Sequence, residues 1–199
     1  MAIAIRQSVP EDAAFYSEMV IESSPMFPVA FGGRIGGALQ AMFAEPKNLF
    51  SGDHVIVAET DGGERAGMLL GYTAAQKRRE DLFTGYLLLR ELGADMLVRL
   101  PRLISLSRFA GIVHDGEFFV SNIAIDSSFR GQGAGKALML RAEEIAAGLG
   151  ATKMSLEVEC DNPAAYGLYS RLGYENTKRL DFTVAGKSKS IYRMVKKIG

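Results

Sequence analysis

The chain has 199 residues, 48% apolar and 23% charged, which is the composition and length of one globular domain over 1–199 and excludes a disordered tract. Lys and Arg total 23 against 23 Asp and Glu, so bulk attraction to nucleic acid is not expected, and one Cys with two His can form neither a disulfide framework nor a zinc cluster. No charge-poor run of ~20 apolar residues could span a membrane and the N-terminus does not read as a signal peptide, so the expectation is a soluble chain in the cytoplasm.

Residues 2–7 (AIAIRQ) read as a short strand. Ser8 then has the spacing of a helix N-cap, with Pro10 in the first turn and Glu11 three residues on. The glycine-rich stretch Phe31–Gly37 reads as loop, and the ALQAMFAE that follows as a helix. His54–Glu59 and Ala66–Thr73 read as two strands of a hairpin joined through Asp61-Gly62-Gly63. Residues 77–110 form an apolar, arginine-bearing insertion of two helices broken at Pro101.

Glu117–Ile125 (EFFVSNIAI) has the β-branched and aromatic content of a buried strand. After SSFRGQGAG a helix runs from about Lys136 to Leu149, with Leu138, Ala142, Ile145 and Leu149 on one face. Arg141, Glu143 and Glu144 point away from that face. Lys153–Glu159 is a strand, and Asn162-Pro163 caps a short helix ending at Gly173. Strands at about 177–184 and 189–196 close the chain around a turn at Gly186. The order β-α-α-β-β-(α-α)-β-α-β-α-β-β implies an α/β (α+β) domain with helices packed on a central sheet.

Between the strand 117–125 and its following helix lies FRGQGAGKAL. Successive glycines let backbone N–H groups converge, and a helix N-terminus adds about half a positive charge, so the loop suits an anion. A Walker A loop fails, because Arg130 and Ala137 stand where Gly and Ser/Thr are needed. The dinucleotide fingerprint fails too, because Lys136 and Leu138 occupy its third-glycine positions. What remains is R-x-x-G-x-G, from Arg130 to Gly135, either a pyrophosphate site or a turn whose glycines serve close helix–sheet packing.

That loop, followed by a strand and then N-x-x-A-x-x-x-Y-x-x-x-G-Y (Asn162 to Tyr174), resembles the GNAT superfamily of acyl-CoA N-acyltransferases. The resemblance covers about residues 117–175 and implies a mixed, mostly antiparallel sheet flanked by helices, with 77–110 as a departure from the family pattern. It implies acetyl-CoA as cosubstrate and an amine of a small molecule, peptide or protein as acceptor, with no metal. Arg130, Gly131, Gln132, Gly133, Ala134, Gly135 and Lys136 would hold the pyrophosphate. Ile123, Ala124 and Ile125 would offer strand-edge backbone groups to the pantetheine arm, and the strand would splay from its neighbour Leu156–Glu159. Asn162 would contact the pantetheine, and Tyr169 matches the family's general-acid tyrosine, beside the cofactor.

Aminolysis of a thioester through a tetrahedral intermediate needs an amine freed of its proton, an oxyanion donor, and a proton for the departing thiolate. A tyrosine near its reference pKa of ~10 can protonate a poorly solvated thiolate. Glu157 and Glu117 compete as the base, Glu157 being nearer the expected gap, with Glu159 and Asp161 as lesser candidates. Cys160, His54 and His114 read as bystanders, and the lysines and arginines from Lys178 onward as edge-strand charges. The alternative function is a non-catalytic acyl-CoA-binding sensor. The insertion suits an amphipathic or anionic acceptor or a homodimer contact, and the sequence does not choose among these.

Overall fold

Strands β1 (Ile3–Gln7), β2 (Val55–Thr60), β3 (Arg65–Thr73), β4 (Glu117–Ile125), β5 (Lys153–Glu159), β6 (Glu175–Val184) and β7 (Lys187–Lys197) form one sheet, ordered β1-β2-β3-β4-β5-β7-β6. The structure, a computed structural model, describes residues 2–94, 96–99, 111–184 and 187–199. Every neighbouring pair is antiparallel except β4 and β5, which are parallel. A parallel pair needs a crossover, and the helix Ala134–Gly148 (numbered α5 below) supplies it.

Period-2 alternation divides the core into two layers. Ile56, Leu69, Phe118, Val120, Leu156 and Met194 pack under α5, against Leu138, Met139, Ala142 and Ala146. Val55, Val57, Met68 and Leu70 face the other way, under α1 (Ala13–Ser23), α3 (Ile35–Ala44) and α4 (Ala74–Leu92). The short α2 (Met26–Phe31) joins α1 to α3. Burial of each large apolar side chain stabilises the layers by about 1.5–3 kcal/mol. Among the described residues no helix is long and apolar enough to cross a membrane.

Several local expectations are corrected. Ser8 caps no helix; its hydroxyl donates to Gly52 O at 2.8 Å. Asp12 takes the amide of Val9 at 2.9 Å and the guanidiniums of Arg6 and Arg65 at 2.7 and 2.6 Å, so Pro10–Asp12 closes a 3₁₀ turn and α1 begins at Ala13. Helix α3 starts within the expected loop, because burying Ile35 and Ala38 outweighs the low helix propensity of Gly36 and Gly37. On α5, Leu149 is exposed, whereas Glu143 is bonded by Lys196 at 2.7 Å and by Tyr174 at 3.3 Å. The insertion opens with α4, whose N-cap Thr73 forms a reciprocal capping box with Gln76. Its expected break at Pro101 and the turn at Gly186 lie outside the described residues.

Candidate active site

The parallel seam between β4 and β5 is paired only from Glu117 opposite Lys153 to Val120 opposite Leu156. Its cause is visible on the other side of β4. Leu70 pairs with Asn122 and Gly71 with Val120, so Ser121 is an extra residue, a β-bulge. The bulge reverses the parity of the strand. Phe118 and Val120 face α5 before it, and Ile123 and Ile125 do so after it, while Ala124 turns to the opposite layer. Asn122 pins the distortion by accepting from Ser121 Oγ at 3.0 Å and donating to Ser23 Oγ of α1 at 2.9 Å. Among the described residues, Ile123, Ala124 and Ile125 pair with β3 but not β5, so one strand edge is left free to take an extended, amide-bearing chain.

The free edge runs into a donor-lined loop. Asp126 caps a 3₁₀ turn, Ser127–Phe129, and the chain passes through Arg130–Gly133 into α5. Gly131 has φ +77° and Gly133 φ +91°, and a Cβ at either would meet nothing within 4 Å. Backbone conformation, not packing, therefore demands these two glycines. Gly135 serves packing, since a Cβ there would lie 3.2 Å from Leu168 Cδ2. None of the amides of Gly131, Gln132, Gly133, Ala134, Gly135 and Lys136 has a backbone or side-chain acceptor among the described residues, as expected of a helix start left open. Gln132 steadies the loop by donating to Ser128 O at 3.0 Å. Arg130 donates to Ile125 O at 3.1 Å and pairs with Glu22 of α1, while Lys136 is exposed at the rim. The cradle can hold an anionic group at the end of the open edge.

Helix α6 (Pro163–Arg171) crosses beside this opening. Asn162 caps it, accepting from Ala165 N at 3.1 Å, with Pro163 at the first position. Tyr166 and Tyr169 diverge. Tyr166 packs against Tyr192 with ring centroids 5.4 Å apart, while Tyr169 enters the α5-side core, 6% exposed, 6.1 Å from the ring of Tyr174. Burial pushes the Tyr169 phenol up to about 12, so it keeps its proton at neutral pH.

The two candidate bases sit at opposite ends of the seam. Leu156 and Val158 belong to the α5-side core, so Glu157 projects from the opposite face at the point where pairing ends. Both its carboxylate oxygens accept from Gly111 N at 3.1 Å, and Arg193 Nη1 lies 3.9 Å away, directly across the β5–β7 ladder. Burial pushes the Glu157 carboxyl above its ordinary range, a shift the Gly111 amide and Arg193 oppose. Glu117 is at the paired end, roughly 13 Å from the bulge at ~3.3 Å per residue. Its Oε2 accepts from His114 N at 3.0 Å, Ser155 Oγ at 3.1 Å and Arg193 Nη2 at 2.5 Å. Arg193 also donates to Ile112 O at 2.7 Å, so it ties the Gly111–His114 strap to both carboxylates. Arg193 corrects the expectation of edge-strand charges in the tail: β7 lies between β5 and β6, and this arginine is buried against Glu117, its one signal in the sequence being its place between Tyr192 and Met194.

The bystanders are placed as follows. The His54 side chain is buried and bonded to Glu80 at 2.7 Å, and Cys160 is a half-buried free thiol. Glu159 is held by Lys189 at 3.0 Å. The basic tail is partly neutralised in place, through Lys189–Glu159, Lys196–Glu143 and Arg179–Asp181.

Comparison with known proteins gives this geometry a context. The model of the acetyltransferase (GNAT) family matches residues 24–174. N-alpha-acetyltransferase 30 of Schizosaccharomyces pombe is 37% identical over 62 residues, 31% of this chain and 41% of that protein's length. The fold superposes on a crystal structure described as an acetyltransferase with TM-score 0.72 and 24% identity, covering 98% of this chain and 100% of the other. A Salmonella typhimurium protein solved with its cofactor acetyl-CoA aligns with TM-score 0.63 and 16% identity, over 100% of this chain and 95% of the other. The family model spans most of the chain, through the bulged strand, the glycine loop and the whole of the tyrosine helix, and so the chain belongs to the GNAT acetyltransferase family and is an acyltransferase.

Proposed function

We propose that this acyltransferase moves an acetyl group from acetyl-CoA to a primary amine by direct attack, without a covalent acyl-enzyme. The observation that carries this reading is the opened seam: one free strand edge ends in an anion cradle, with a phenol on one face of the sheet and a carboxylate on the other. The free edge at Ile123, Ala124 and Ile125 suits the two amides of a pantetheine arm, and the amides of Gly131 to Lys136 suit its diphosphate. Arg130 and Lys136 would add charge at the rim, and the Nδ2 of Asn162 is free of its capping duty to reach the arm.

Bound acetyl-CoA would supply the activated thioester. Glu157 would take the proton of the incoming ammonium from the α1–α4 side of the sheet, where Ser23 and Asn122 mark the bulge. A backbone N–H on the β4 edge would meet the developing oxyanion. Tyr169, kept protonated by burial, would donate its phenolic proton to the departing sulfur from the α5 side, and the second proton shed by the acetylated nitrogen would pass through solvent and restore the phenol. Glu117, locked by Arg193 and Ser155, would be structural. The likeness to an Nα-acetyltransferase makes a peptide α-amine, with a reference pKa of ~7.7–8.0, the first acceptor to assay.

The test is CoA release with a panel of peptide α-amines and small amines, run beside Tyr169→Phe. Turnover on at least one amine is expected, with kcat in the variant about 10²-fold lower and acetyl-CoA affinity within about twofold. Binding without turnover on any amine, or full-rate turnover by Tyr169→Phe, would overturn the assignment.

A further inference from the structure

The insertion carries an apolar face that neither the sheet nor the candidate site uses. On α4, Glu80, Thr84, Leu87, Leu88 and Leu92 point inward, and Leu82, Phe83, Tyr86 and Leu89 point outward. Leu82 is 89% exposed, Tyr86 57%, Leu89 41% and Phe83 39%. Leu82, Tyr86 and Leu89 follow the i, i+4, i+7 spacing of a helix–helix seam, and the Phe83 and Tyr86 rings stack 5.9 Å apart at mid-helix.

We propose that this face is the contact between two copies of the chain, with α4 packed antiparallel on its partner's α4 across a two-fold axis near Phe83 and Tyr86. Area is the first argument. From typical side-chain areas the four residues expose roughly 450 Å², close to the apolar share of a standard interface of ~800 Å² per partner. Charge is the second. Lys77 pairs with Asp81, Arg78 with Asp115, Arg79 with Glu80, and Arg90 with Glu45 and Glu91. The cations of this helix are thus already neutralised within the chain. They leave little field to draw an anionic lipid surface or an acidic peptide, and equally little to repel an identical face. Position is the third. Aromatic anchors at the middle of a helix ~28 Å long meet their own copies when the helices run antiparallel, and each positive N-terminus then lies beside a partner's C-terminus.

Sedimentation of the full chain over about 1–100 µM tests this, with variants that alter exposed side chains only. A reversible dimer is expected, with Leu82→Glu and Tyr86→Glu each raising its dissociation constant at least about tenfold. Leu149→Glu, 53% exposed at the end of α5, should leave it unchanged. Phe83→Cys in a Cys160→Ser background should give a covalent dimer on oxidation, because the two thiols face each other near the axis. A monomer throughout the range, or a dimer indifferent to both glutamates, would overturn the proposal. So would a monomer that sediments with phosphatidylserine vesicles and is released by Leu82→Glu, since the face would then belong to a membrane surface.

Discussion

The two ends of the β4–β5 seam carry the same residue type in opposite circumstances. At the closed end, Glu117 is 5% exposed and holds three donors on one oxygen, among them a guanidinium at 2.5 Å. At the open end, among the described residues, Glu157 accepts one backbone amide, and its nearest cation is 3.9 Å away. Backbone pairing sets this difference. Where the strands pair, the seam is packed and a buried carboxylate survives only if it is fully partnered. Where the bulge separates them, a carboxylate is left with fewer donors, and its burial raises its proton affinity. On the proposed reading the closed end is structural and the open end carries the chemistry.

The largest effect should come from the open end's anion cradle. Gly133→Leu forces a β-carbon onto a residue at φ +91° and sets a side chain among the outward amides. Calorimetry should find no measurable CoA binding, with the melting temperature lowered by only a few degrees. Next is Glu117→Gln at the closed end, which leaves buried Arg193 with only the more distant carboxylate of Glu157 among the described residues. A loss of about 3–5 kcal/mol in denaturant unfolding is expected, large against a typical total of 5–15 kcal/mol. Glu157→Gln should reverse that pattern. Burial disfavours its charged form, so at neutral pH the glutamine costs no stability, whereas kcat/KM should fall about 10²-fold. The sign in pH follows from the same shift. A base whose pKa is raised is ionised only above that value, so the wild-type rate climbs with pH from above the ordinary glutamate range of ~4.3, and the variant should lose that limb. Equal stability losses for the two glutamates would erase the distinction between the ends.

Much of this seam was legible before the structure. Glu117–Ile125 and Lys153–Glu159 appear with the expected bounds, because EFFVSNIAI is rich in β-branched and aromatic residues and KMSLEVE alternates polar with apolar residues, each stopped by a turn. Asn162-Pro163 and Gly131/Gly133 were legible for a related reason: caps and positive-φ turns constrain residue type locally. The bulge was not, since nothing in EFFVSNIAI marks Ser121 as extra; only pairing with β3 does. The lock on Glu117 was equally hidden, because Arg193 is 76 residues away and meets it through the β5–β7 ladder. The start of α3 is hidden for the same reason, its glycines being overruled by packing that local propensity does not contain.

The smallest effect separates attraction at the open end from architecture there. Arg130 pairs with Glu22 across the gap between the loop and α1, and both side chains are largely exposed. In water such a pair holds little energy, and its carboxylate competes with any bound phosphate for the guanidinium. Glu22→Gln should therefore release Arg130 toward the cradle and tighten CoA binding about twofold at low ionic strength. The gain should vanish near 0.5 M salt, where the screening length falls to about 4 Å. Salt screens Arg130, Lys136 and the helix-terminus charge more than it weakens direct amide hydrogen bonds, so the binding that remains in high salt reports chiefly the hydrogen bonds of the cradle. A salt-independent gain would instead mean that Glu22 restrains the loop mechanically, placing the control of this end in α1 rather than in charge.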